Sequence, residues 1–172
     1  MRVSLFAVVL LFVPVGSACC ASGAETIPSD FALSVGFASE NIAAQPGDVV
    51  SWRTRIDSRG QAVQELYYLE PKKTVRKRPV FFSPREMQSL IGVLKKQRFF
   101  DLPEDLANCE DCGAFILKLT MSGRTHSVRL SVAYFIKDKS LVRRVRDIWA
   151  VVVRKVPSPF GIDELHNLEV NS

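Results

Sequence analysis

The stretch SPREMQSLIGVLKKQRFF, residues 83–100, decides the fold, because it interrupts a chain that otherwise alternates with period two. Ser83 is a helix-capping residue, Pro84 suits the first helical position, and Glu86 stands where a capping box needs an acid. Met87, Leu90, Ile91 and Leu94 follow at i, i+3, i+4 and i+7, which places them on one apolar stripe. Lys95, Lys96 and Arg98 lie toward the C-terminal end, where the helix dipole favours cations. Phe99, Phe100, Leu102 and Pro103 end the helix and are expected to tuck its exit under a core.

Upstream, FALSVGFA (31–38) alternates Phe31, Leu33, Val35 and Phe37 with small residues, the pattern of a strand with one bulky buried face. Pro46-Gly47 punctuates a connection, and VVSWRTRID (49–57) alternates Val50, Trp52, Thr54 and Ile56 with a polar face. Asp57-Ser58-Arg59-Gly60 is turn chemistry, and QAVQELYYLE (61–70) reads as the returning arm of a hairpin. Downstream, AFILKLTMS (114–122) and THSVRLSVA (125–133) form a second hairpin about Gly123-Arg124. SLVRRVRDIWAVVVRKV (140–156) closes the pattern as a helix with Leu141, Val145, Ile148 and Val152 on one face, stopped by Pro157 and Pro159.

The expected fold class is α+β. An antiparallel sheet of about five strands, in the order β-β-β-α-β-β-α, carries two amphipathic helices packed on one face. The expected domain is single and spans residues 25–160, with a short tail at 161–172. There is no repeat of solenoid type and no low-complexity tract.

Residues 1–24 have the layout of a secretory signal peptide: Arg2, an apolar run from Val3 to Val13, then Pro14 and small residues. The run is about a dozen residues, short of the roughly 20 that span a bilayer. Cleavage after Ala24 discards Cys19 and Cys20. Gly16-Ser17-Ala18-Cys19 also resembles a lipoprotein box, with Gly16 where an apolar residue is usual, and in that case Cys19 receives lipid. The net formal charge of +5 describes a mildly basic chain and does not by itself imply a nucleic-acid partner.

The stretch SPREMQSLIGVLKKQRFFDLPEDL followed by FILKLTMSGRTHSVRL, residues 83–106 and 115–130, resembles the emfourin family of small bacterial proteins. The likeness spans about residues 83–132 and implies an α+β fold. Some of those proteins inhibit thermolysin-type metalloproteases, so it also implies an inhibitory role. The leader, the basic segment between Pro71 and Pro79, and the paired cysteines depart from that family's pattern.

Four chemistries bear on Cys109-Glu110-Asp111-Cys112 and its surroundings. Redox catalysis needs a thiolate held by cations or a helix N-terminus, and here the spacers are acidic. Zinc binding could draw on Cys109, Cys112, His126 and His166, but the histidine spacing is not that of a zinc finger. A local disulfide between Cys109 and Cys112 fits an exported chain, and so small a loop contributes about 2 kcal/mol. Hydrolysis finds no G-x-S-x-G and no H-E-x-x-H, and His126 is expected to edge the core two residues from Val128. No metal, cofactor or catalytic residue is therefore expected.

PKKTVRKRP (71–79) is the most unusual segment. Lys72, Lys73, Arg76, Lys77 and Arg78 form either a contact for an anionic partner or a solvated edge strand that lysine keeps from aggregating. The segment lacks the interleaved aromatics that stack on bases, and nucleic acid is not an expected partner. The sequence thus points to an exported, non-catalytic protein acting through surface contacts, a binding or protease-inhibitor-like module whose partner is an exported protein or an anionic envelope component. The alternative is an envelope-associated lipoprotein of structural role, anchored through Cys19.

Overall fold

The computed structural model describes residues 26–38, 45–106, 113–131 and 138–159. Within them lie seven strands and two α-helices in the order β1 (Ala32–Ala38), β2 (Val49–Asp57), β3 (Gln61–Tyr68), β4 (Lys73–Arg76), β5 (Val80–Phe81), α1 (Pro84–Lys96), β6 (Ala114–Met121), β7 (Arg124–Ser131) and α2 (Lys139–Lys155). The α+β class and the helix positions follow the sequence pattern. The strand count is higher than expected, because the chain after β3 returns along its edge as two short strands, β4 and β5.

The described strands pair antiparallel with one another, a single parallel bridge from Asp105 meets Arg129 on β7, and the sheet runs β4-β3-β2-β1-β6-β7 with β5 beside β4 on the edge of β3. β1 is therefore internal, hydrogen-bonded to β2 on one side and β6 on the other. Its large residues Leu33 and Val35 are buried, together with Phe31 just ahead of the strand. From the neighbouring strands Trp52, Ile56, Leu66, Phe115, Leu117, Leu119, Val128 and Leu130 join them in one core. β2 loses its alternation at its start. The register shifts between Val49 and Ser51, and Val49 rather than Val50 packs on the core.

α1 buries Met87, Leu90, Ile91 and Leu94, the stripe expected from their spacing. Its capping box is formed: the Glu86 N–H donates to Ser83 Oγ at 3.3 Å and the Ser83 N–H to Glu86 Oε2 at 2.6 Å. α2 buries Val145, Ile148 and Val152, and adds Trp149 and Val153 to the expected face. Trp149 is the hinge of the packing, edge-on to Trp52 at 5.2 Å and to Phe115 at 4.6 Å.

The helices run antiparallel and their ends are tied by charge. Lys155 near the end of α2 donates to Glu86 at the start of α1 at 2.8 Å. With the Lys155 and Ser83 hydrogen bonds on it, the Glu86 carboxyl is held down at about 2. At the other end Arg144 donates to the carbonyls of Gln97 and Arg98, closing the C-terminus of α1 with a cation. Arg144 thus serves the neighbouring helix rather than the apolar face of its own.

The second hairpin turns at Ser122-Gly123, both with positive φ (54° and 74°), one residue earlier than the sequence suggested. The Asp30 carboxylate accepts from the Gly123 and Ser122 N–H groups at 2.6 and 2.9 Å, which lowers its pKa below the ordinary carboxylate value. That contact fastens the approach to β1 onto the turn.

Thr54 is fully buried on the helix-facing side of β2, and its Oγ1 has no hydrogen-bond partner among the described residues. Thr54→Val removes an orphaned hydroxyl at nearly constant shape. It is expected to raise stability by about 1 kcal/mol, read as a higher denaturant midpoint at unchanged slope.

Candidate functional site

Both helices pack on one side of the sheet, so the other side is assembled from the alternate residues of each strand. Two rows cross it. One runs Arg76, Glu65, Arg53, Gly36, Ile116, Arg129 through six strands, and the next runs Val63, Arg55, Ser34, Lys118, Ser127 through five. The small residues of β1 lie in the middle of both rows, with long side chains on either hand. The result is a shallow trough of about 390 Å³ whose floor is Ala32 and Ser34 and whose walls include Arg55, Arg76, Glu65 and Lys118.

At Gly36 the backbone of β2 lies close against β1. A Cβ there would stand 2.5 Å from the Trp52 carbonyl oxygen, so no larger residue fits without moving a strand.

Glu65 is the electrostatic centre of this face. Its side chain is 9% exposed, and Arg76 and Arg53 donate to it at 2.9 and 3.0 Å, with Arg55 at 3.5 Å. Tyr67 donates its hydroxyl to Glu65 at 3.1 Å while accepting from Arg53 at 2.7 Å. The hydrogen bonds from Arg76 and then Arg53 outweigh the cost of burial and pull the carboxyl from 4.5 to about 2. One carboxylate thus serves three guanidinium groups, and the cluster keeps a net positive charge.

The basic segment 71–79 contains β4, an edge strand of the sheet, and its charges do not act together. Lys73 pairs with Tyr68, the ammonium lying 4.8 Å from the ring, on the helix side of the edge. Arg76 pairs with Glu65 and reaches the opposite face. The Lys77 N–H donates to the Gln64 carbonyl at 2.8 Å, after which Arg78 and Pro79 separate β4 from β5. Lys72, Lys73, Lys77 and Arg78 are all exposed. Of the five cations proposed from sequence, only Arg76 joins the trough.

His126 is half-buried, with Nε2 2.7 Å from the Leu102 carbonyl and the ring 5.7 Å from that of Phe99. A carbonyl only accepts, so Nε2 carries the proton. The ring serves to hold the Phe99–Leu102 turn against β7. Cys19, Cys109, Cys112 and His166 lie outside the described residues. Among the described residues no three His, Cys, Asp or Glu side chains gather to hold a metal ion, and no helix is long and apolar enough to cross a membrane. No protein-family model and no curated protein matches the chain.

No local signal in the sequence marks the trough, although one pairing on its face follows from a turn. The turn at 57–60 sets the hairpin register, which places Arg53 opposite Glu65. Arg76 and Lys118 come from β4 and β6, whose neighbours no local signal names.

Folding lowers the Glu65 pKa, so the folded state binds that proton less tightly than the unfolded one. Its stabilisation is complete above about 4.5 and is lost as pH falls through about 2. Native protein is expected to exceed Glu65→Gln by about 1–3 kcal/mol at neutral pH, less than the full linkage value because the arginines are partly solvated. Parallel denaturant titrations should show that gap closing across the acid window. His126→Ala should cost about 1–2 kcal/mol through the lost bond to Leu102, measured the same way.

Proposed function

We propose that the protein is an exported, non-catalytic binding module that works by surface contact, in the manner of small protease-inhibitor proteins. The observation that carries this reading is the sheet face opposite the two helices. Among the described residues no helix packs on that side, and it presents a trough walled by Arg55, Arg76 and Lys118. Aromatic and arginine side chains are the groups that protein interfaces favour, and Tyr67 and Arg53 stand together beside this trough.

The inhibitory part of the proposal rests on the resemblance of residues 83–132 to the emfourin family. Export rests on the leader at residues 1–24, with a Cys109–Cys112 disulfide suited to that destination. The exposed Lys72, Lys73, Lys77 and Arg78 on the sheet edge supply a second, weaker attraction for an anionic envelope component.

Intact mass of the protein made with its own leader in its own host tests the export reading. The expected species begins at Glu25, carries no lipid and shows the mass deficit of one disulfide. An unprocessed chain would sink export, and a lipid-bearing Cys19 would move the protein to an envelope-anchored role. For the inhibitory reading, titration into a thermolysin-type metalloprotease should remove activity at a fixed stoichiometry. That stoichiometry should persist in a folded His126→Phe variant.

A further inference from the structure

We propose that the trough over β1 is the seat of an acidic, partly apolar stretch of another polypeptide; this deepens the surface-contact reading above and rests on it. The first argument is the state of its charges. Glu65 is already engaged by Arg76, Arg53 and Tyr67. Asp57, at the end of the trough, accepts from the N–H groups of Arg59 and Gln61 at 3.0 and 2.9 Å. On the cationic side, Arg55 reaches Glu65 only at 3.5 Å with its side chain 54% exposed. Lys118 makes no ion pair with a described residue and is exposed. The carboxylates of the trough are therefore committed, and one cation on each wall is available to an incoming carboxylate.

The second argument is spacing. Arg55 and Lys118 flank Ser34 in one row, so their backbones are two strand spacings apart, about 10 Å. That width matches one polypeptide with its side chains. A ligand lying along the small residues of β1 would meet a cation on either side.

The third argument is the apolar content of the trough and of the sheet face around it. Val63 lines the trough, and Ile116 and Phe81 are among the exposed large apolar residues, at 38% and 60%. Phe81 pairs with Gln61, another lining residue, and so shares its face. A purely ionic ligand such as a phosphate chain would leave these groups in water. A flat bilayer cannot follow a concave floor, and a second copy of a chain of charge +5 would bring like charge to this face.

The test uses the full chain and three probes: a synthetic peptide of alternating glutamate and leucine, inorganic polyphosphate, and vesicles of phosphatidylglycerol and phosphatidylcholine in equal parts. The peptide is expected to bind and to shift the backbone amide resonances of Ser34, Gly36, Arg55 and Lys118. Arg55→Ala/Lys118→Ala should weaken it at least about tenfold, and Ile116→Ser should weaken it as well. Lys72→Ala/Lys73→Ala should leave affinity within a factor of about two, since rim charges act mainly on encounter. The double variant keeps Arg53 and Arg76 on Glu65, and an unchanged unfolding midpoint verifies its fold.

Peptide affinity unmoved by the double variant would overturn the inference. Tighter binding of polyphosphate or vesicles through these same amides would also overturn it, while leaving the surface-contact reading standing. Silence of this face toward all three probes would remove both.

Discussion

A strand hydrogen-bonded along both edges has two faces and cannot exchange them, and β1 is such a strand. Its pairing with β2 and β6 leaves Leu33 and Val35 on one side, Ala32, Ser34 and Gly36 on the other. A slip of one residue would turn every large side chain to water, so the register is held by burial rather than by the hydrogen bonds alone. The bulky side calls for cover, and α1 and α2 supply it. The other side carries the small residues of β1, and its low floor is the same alternation seen from behind. The trough and the core are two readings of one strand.

The open face then has to be stable in water while carrying several cations. Glu65 accomplishes this from within the sheet. It is opposite Arg53 on β2 and opposite Arg76 on β4, so strand pairing itself delivers both guanidinium groups. The cost of burying its charge is met by hydrogen bonds made at the same time, which is the condition under which a buried carboxylate stabilises rather than strains a fold. Arg76 does double duty, since it also lends charge to an edge strand, and charge discourages pairing with a foreign strand.

Most of the fold was legible because its signals are local. The capping box at Ser83 and Glu86 lies three residues apart, the α1 stripe lies within one helix, and the alternation of Phe31 to Phe37 lies within one strand. Each of these depends on backbone periods that the chain carries with it. What escaped the sequence depends on partners far along the chain. β4 and β5 are too short to alternate convincingly, and only the edge of β3 makes them strands. Val49 displaces Val50 through a register shift that no composition marks. Arg144 finds its role at the end of α1, 47 residues away in sequence.

The site shows the same limit more sharply. Lys72, Lys73, Arg76, Lys77 and Arg78 looked like one feature because they are adjacent in the chain. A strand sends neighbours to opposite faces, so adjacency disperses them instead, and Lys73 and Arg76 end on opposite sides of the edge. Arg53, Arg55, Arg76 and Lys118 span 66 positions in number and yet converge, because cross-strand rows gather residues by register rather than by sequence. Within that gathered set the work divides. Arg53 and Arg76 are held by Glu65 at hydrogen-bond distance and belong to the fold, whereas Arg55 keeps a longer ion pair with it and Lys118 pairs with no described carboxylate. A face that separates its structural cations from its available ones can lose a ligand, or gain one, without disturbing the sheet that carries it.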